Sequence, residues 1–345
     1  MDQIPVVCKS FAGEPYTRWI TKRMPAIPYP LLDCVVYLYG DKESALAGKR
    51  YGGCGFLLSV STQGGRFAHL YLVTNYHVAI RDGFCVARVN SQAGGVDIFE
   101  FDSSEFIFNP GGGDVCAVSL QLTDTHKWAS LDISHLATRD HAERGICLGD
   151  DVFMLGRFIE HDGGVTNRPA ARFGNISVEP GHIAGLPNSD DDCPYYCLDM
   201  HSRSGYSGAP VWVYRPPCAN LIPVFMPKNY RATPGSEKTL YGMCAIHCAQ
   251  FPEEIGPTEE GKLITGYSGM TIALPAWKIR ELILENETFK AQRKTIESSD
   301  EHRGKPIPES AKDDDKTTQA RFDTTIRRML NTPPTPKTKR PKKPT

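Results

Sequence analysis

The chain has 345 residues, 40% of them apolar and 23% charged, with a formal net charge of −1. That length and composition suit one large or two small folded domains. The small net charge excludes a whole-molecule field that would draw the protein to nucleic acid or to an acidic membrane.

No run approaches the ~20 apolar residues of a spanning helix. The opening MDQIPVVCKSFAGEPYTRW lacks a basic segment followed by an apolar stretch. These features read as a cytoplasmic protein with no membrane partner. The eleven cysteines agree, because their number is odd and several lie in apolar runs such as VCAVSL and GMCAIHC. They are expected as reduced, mostly buried thiols and not as a disulfide framework.

Residues 1–30 carry Pro5, Pro15, Pro25, Pro28 and Pro30 and read as an irregular N-terminal segment. Short runs rich in β-branched and aromatic residues follow, separated by Gly, Pro, Asn and Asp. They predict strands near 34–40, 54–60, 69–78, 85–90, 98–102 and 114–122. Residues 123–149 read as a connector. Six more strands are predicted near 150–158, 170–178, 197–202, 209–215, 239–250 and 269–275. Many short strands without alternating helices argue for a sandwich or barrel architecture. One helix is predicted over PAWKIRELILENETF, where Ala276, Ile279, Leu282, Ile283 and Asn286 recur at three-to-four spacing behind Pro275. From about residue 292 the composition becomes polar and charged, then Pro-rich and basic, and disorder is expected.

Three segments carry chemistry. In Gly205-Tyr206-Ser207-Gly208-Ala209-Pro210, glycines flank a serine on a tight turn, where the amides of Gly205 and Ser207 can aim at one point as an oxyanion hole. Leu72-Val73-Thr74-Asn75-Tyr76-His77 puts a histidine at the end of an apolar strand. Gly111-Gly112-Gly113-Asp114-Val115-Cys116 leads an aspartate from a glycine loop into a buried strand. Alone, each has an ordinary explanation: a loop, a surface histidine, a turn acid. Together they supply a hydroxyl nucleophile, a base, and an anion to fix the base's tautomer, in the chain order His77, Asp114, Ser207.

In these segments the sequence resembles the chymotrypsin/trypsin-like serine peptidases. VTNYHV resembles the V-T-A-x-H segment, GGGDVCAVSL the D-[VIL]-A-[VL] strand, and GYSGAP the G-[DN]-S-G-G-P turn. Residues 241–246 resemble the strand walling the specificity pocket. SGMTIALP resembles the closing strand and helix start of bacterial HtrA-type peptidases, although no PDZ domain can follow residue 285. The resemblance covers roughly 34–285. It implies an all-β fold of two six-stranded antiparallel β-barrels, a first over 31–125 and a second over 150–275, within a peptidase domain of 31–285. A C-terminal helix would follow, with residues 286–345 holding the helix end and a disordered basic tail. The implied activity is serine endopeptidase, with His77, Asp114 and Ser207 as catalytic triad and a protein or peptide as substrate. Tyr206 stands where the family usually has Asp or Asn, Ala209 where it has glycine, and Ala245 where animal enzymes place a serine that supports the aspartate.

An ungapped alignment puts His201 at the base of the substrate pocket, Ala245 and Ile246 in its wall, and His247 at its rim. No carboxylate lies at the base, which argues against a preference for Lys or Arg and leaves polar, acidic and small apolar side chains open. No cofactor is expected. Cys193-x₃-Cys197 and Cys244-x₃-Cys248 with His247 have zinc-like spacing, but buried thiol packing explains them better. The cluster Lys337, Lys339, Arg340, Lys342 and Lys343 reads as a solvated end, with an acidic partner or nucleic acid as the alternative. Two other functions stay open: a trypsin-fold binding module without turnover, and a nucleic-acid-associated protein acting through the basic tail.

Overall fold

The computed structural model describes residues 4–9, 15–20, 27–49, 52–62, 68–161, 164–183, 193–215, 240–257 and 263–301. The basic tail and its cluster at 337–343 lie outside them. Strands β1 (Ile4–Lys9) and β2 (Pro15–Ile20) pair as an antiparallel hairpin within the segment expected to be irregular.

The first half of the fold is built from β3 (Val35–Tyr39), β4 (Gly53–Ser61), β5 (Ala68–Thr74), β6 (Val86–Ser91), β7 (Val96–Glu100) and β8 (Cys116–Ser119). They lie in the order β7-β6-β3-β4-β5-β8. Two short strands join this sheet from the connector: β9 (His126–Lys127) on β6 and β10 (Leu131–Asp132) on β4. The six predicted strands are present, but pairing among the described residues does not close them into a barrel. The chain from β7 to β8 makes a 3₁₀ turn at Ser103–Glu105 and a glycine loop. It contributes only an isolated bridge, Ile107 to Ala117, where a sixth ladder would be needed.

The second half closes. Strands β11 (Asp151–Gly156), β12 (Ala170–Gly181), β13 (Tyr195–Asp199), β14 (Pro210–Arg215), β15 (Leu240–Pro257) and β16 (Leu263–Pro275) form a barrel in the order β11-β12-β13-β16-β15-β14, with β14 returning to β11. Closure leaves no free sheet edge along these ladders. Phe153, Leu155, Leu198, Val211 and Ile272 fill its core.

Helices brace the sheets. After α1 (Tyr29–Asp33), α2 (Lys42–Ala47) starts on the side-chain cap of Asp41 and stops at Gly48, whose φ is 62°; both are ordinary helix-end chemistry. Helix α3 (Arg139–Gly145) begins on Thr138. Helix α4 (Ala276–Glu285) buries Ala276, Ile279, Leu282 and Ile283, the face given by its periodicity. The expected change to disorder near 292 falls inside another helix, α5 (Glu287–Glu301). Phe289 of α5 is fully buried and meets Tyr71 edge-on at 5.0 Å, while Arg293 donates to the Tyr71 hydroxyl at 3.0 Å.

Buried polar contacts stitch the two halves. The Arg157 guanidinium lies 4.1 Å over the Tyr39 ring and donates to the carbonyls of Leu38 and Lys49. Arg88 donates to the Tyr39 hydroxyl and the Gly164 carbonyl. Asn90 and Asn167 exchange hydrogen bonds of 3.0 and 2.7 Å.

Candidate active site

Register brings His77 and Asp114 together. β5 and β8 are antiparallel, with Thr74 opposite Cys116. The chain leaving β5 therefore runs beside the chain entering β8. β5 ends at Thr74, four residues before the expected end, because the backbone then coils into a π-type turn, His77–Arg81. That turn presents both the ring and the amide of His77 to the acid. His77 N donates to Asp114 Oδ1 at 2.9 Å, and His77 Nδ1 lies 2.6 Å from Asp114 Oδ2. A carboxylate only accepts, so the ring proton sits on Nδ1 and Nε2 keeps a lone pair.

Ser207 comes from the other half. Its loop runs from β13 to β14, and its carbonyl accepts from the Cys54 amide on β4 at 2.9 Å. Gly53 separates this carbonyl from the histidine turn: a Cβ there would lie 2.9 Å from Val78 Cγ1 and 3.2 Å from the Ser207 carbonyl. The glycines of the turn are required by geometry. Gly205 has φ 96° and Gly208 φ 88°, and a Cβ on Gly208 would sit 1.8 Å from the Cys54 carbonyl. On the inner side the Gly208 amide donates to the His247 carbonyl at 3.0 Å and the His247 amide to the Ala209 carbonyl at 2.9 Å. The amides of Gly205 and Ser207 donate to no acceptor among the described residues, and no hydrogen bond there joins His77 to Ser207.

Tyr206 is fully buried. Its ring packs on Gly156, its hydroxyl donates to the Ala170 carbonyl at 3.4 Å, and burial raises its pKa. A neutral phenol thus fills the place where the family usually has Asp or Asn.

The pocket residues separate in space. His201 is exposed, its ring lying over Gly269 of β16. Ala245 and Ile246 are fully buried, opposite Val211 and Pro210 of β14. His247 is 2% exposed, so it lies beneath the serine turn and not at a pocket rim. Neither ring nitrogen has a partner among the described residues, and burial, followed by the electrostatic effect of nearby His77, lowers its pKa to about 4.

The residue beside Asp114 is Cys248, not Ala245. Its thiol lies 4.0 Å from the Asp114 carbonyl and accepts from Asn75 Nδ2 at 3.4 Å. Strand bulges between Val211 and Trp212 and between His247 and Ala249 shift the register that an ungapped alignment assumes.

Nine cysteines between Cys34 and Cys248 form no disulfide, and all of them are buried except Cys147. Burial pushes Cys54 and Cys244 up to about 12 and Cys248 well above its ordinary value. No group of three or more His, Cys, Asp or Glu side chains suited to a metal occurs among the described residues.

A serine turn from one β unit, hydrogen-bonded to a second β unit beside a His–Asp pair, decides the architecture. The chain has the fold of the trypsin-like serine peptidases. No protein-family model and no curated protein matches the sequence. Among solved structures, the protease domain of MamO from Magnetospirillum magneticum, in its apo form, is 14% identical. The likeness covers 73% of this chain and 97% of that one, with a TM-score of 0.42. The Rv3671c protease in an inactive form is 16% identical over 74% of this chain and 89% of that one, with a TM-score of 0.37. No helix among the described residues is long and apolar enough to cross a membrane.

Proposed function

We propose that this chain is a serine endopeptidase that cleaves peptide bonds of a protein or peptide substrate through an acyl-enzyme. One observation carries the reading: the doubly hydrogen-bonded His77–Asp114 pair lies beside a serine turn whose Gly205 and Ser207 amides have no acceptor among the described residues. Ser207 Oγ attacks the substrate carbonyl carbon while His77 Nε2 takes its proton. The oxygen that gains charge is received by the amides of Gly205 and Ser207. His77 passes the proton to the leaving amine, and the C–N bond breaks. Water then attacks the ester carbon, giving up a proton to His77; the bond from that carbon to Ser207 Oγ breaks, His77 returns the proton to Oγ, and the second product leaves as the acid. Asp114 keeps Nδ1 protonated throughout and stabilises the imidazolium.

His201 is the exposed member of the four expected pocket residues and is the one we assign to contact the substrate side chain. The buried Tyr206 cannot act as an anion for a newly cut amino terminus, so activity requires no such cleavage. A cytoplasmic setting fits nine free thiols, eight of them buried.

Fluorophosphonate labelling of the intact protein tests the function. Labelling at Ser207, with cleavage of a peptide library that the Ser207→Ala protein leaves intact, is the expected result. Absence of labelling favours the second reading, a binding module on the same fold. That reading draws on the lack of a hydrogen bond between His77 and Ser207, although such bonds often tighten only when substrate binds.

A further inference from the structure

We infer that Asn75 is a positioning residue that clamps the main chain of Asp114. The inference rests on the serine-peptidase reading for its kinetic consequence but not for its geometry. Every polar atom of Asp114 has a partner. The carboxylate oxygens accept from the His77 amide and ring, at 2.9 and 2.6 Å. The backbone amide donates to the Tyr195 hydroxyl at 3.3 Å. The carbonyl accepts from Asn75 Nδ2 at 2.8 Å. Of these, the Asn75 bond joins the two segments behind the carboxylate, because Asn75 precedes His77 by two residues on the strand exit that carries it.

The chemistry fixes the direction of the Asn75 amide. Nδ2 faces the Asp114 carbonyl and the Cys248 sulfur, whose nearer acceptor is the Ile246 carbonyl at 3.4 Å. Turning the amide over would set oxygen against oxygen. The backbone of Asn75 is fixed as well: its carbonyl accepts from the Ala79 amide at 3.2 Å and the Cys116 thiol at 3.4 Å. The clamp is therefore short and held at both ends.

A packing role alone does not account for this side chain. Asn75 is fully buried, and its Oδ1 has no partner among the described residues. Burying an unsatisfied amide oxygen is unfavourable, and an apolar side chain of similar size would fill the space without that penalty. What an apolar residue cannot supply is the donor to Asp114. Without it the aspartate hangs on the Tyr195 contact and the long Cys248 contact from the other half, and on the histidine it is meant to orient. Small displacements of a catalytic group have large effects on rate.

Two variants separate the roles: Asn75→Ala, and Asn75→Val, which refills the volume but has no donor. Two measurements are made on each. One is fluorophosphonate inactivation, resolved into limiting rate and probe affinity. The other is proton NMR of the His77 Nδ1–H, which a tight bond to a carboxylate moves far downfield. Both variants are expected to lose about 10–100-fold in limiting rate, with affinity within a few-fold of wild type, the range for a misplaced catalytic group. In both, the Nδ1–H signal should move upfield or broaden. If Asn75→Val restores the wild-type rate and signal, Asn75 only fills space and the inference fails; it also fails if both variants stay within twofold of wild type with the signal unmoved. If wild-type protein does not label, the proposed activity is wrong, while the Nδ1–H signal still decides whether Asn75 holds Asp114.

Discussion

The two halves of this fold bring different things to one site. The first sheet is open along its β7–β8 side and supplies the histidine and the aspartate, already locked together. The second half is a closed barrel and supplies the serine, on a loop whose backbone is bonded to both halves. The histidine and aspartate are prealigned within one unit, whereas the serine is set against them by contacts between units. Loss of a triad member should therefore abolish the chemistry, and loss of inter-element packing should instead weaken the frame.

The sharpest test of this division is removal of either partner. Ser207→Ala and His77→Ala should each lose on the order of 10⁶-fold in turnover, and the double variant should be little worse, since the groups act as a unit. Peptide-cleavage assays with contamination excluded would read this; activity remaining in Ser207→Ala breaks the assignment. Asp114→Asn should fold normally and lose roughly 10⁴-fold, because the amide favours the wrong ring tautomer. A loss as deep as that of Ser207→Ala would mean that the pair is not prealigned.

Phe289→Ala probes the cover of the open sheet. The ring is fully buried against Tyr71, and emptying such a site costs about 3–5 kcal/mol. In a domain this size that lowers Tm by on the order of 10 °C, measurable by calorimetry. A much smaller drop would show that α5 is not part of the frame.

His247 probes the closed barrel. Burial holds its pKa at about 4, below the ordinary 6.5. Between those values the unfolded chain takes up a proton that the folded protein refuses. The stability linked to this group is full above about pH 6.5 and falls as the pH drops toward 4, by on the order of 3 kcal/mol. Denaturant titrations of wild type should show this fall between pH 6.5 and 4, and those of His247→Leu should lack it. Equal slopes for the two proteins would place the imidazole in contact with solvent. The smallest effect is expected from deleting 302–345, a polar segment whose loss should shift Tm by no more than a degree or two.

Much of this was legible in the sequence because strand cores write themselves in β-branched and aromatic residues. Each predicted strand is found, some shortened or lengthened at the ends. His77, Asp114 and Ser207 stood out because flanking glycines and apolar strands fixed their context. What could not be read depends on pairing. The bulges of β15 make Cys248, not Ala245, the neighbour of Asp114, and bury His247. Closure of the first sheet was also invisible, since it turns on whether residues 101–113 form a ladder or a loop. Helix α2 did carry a signal, Asp41 before it and Gly48 after it, hidden among the short segments around it. The donor role of Asn75 had no sequence signal, because nothing in its local context reveals an acceptor 39 residues away.

The placement of α5 has a consequence for synthesis. Arg293 reaches a tyrosine hydroxyl 222 residues earlier in the chain, and Gln292 accepts from Ser119 across 173 residues. During translation the first sheet thus emerges long before the helix that covers Tyr71. At ribosomal speeds of about 5–20 residues per second, that apolar face waits on the order of 10–40 seconds for its lid. A nascent chain in this interval is a natural client for chaperones, and the His–Asp pair is made well before the serine it would activate.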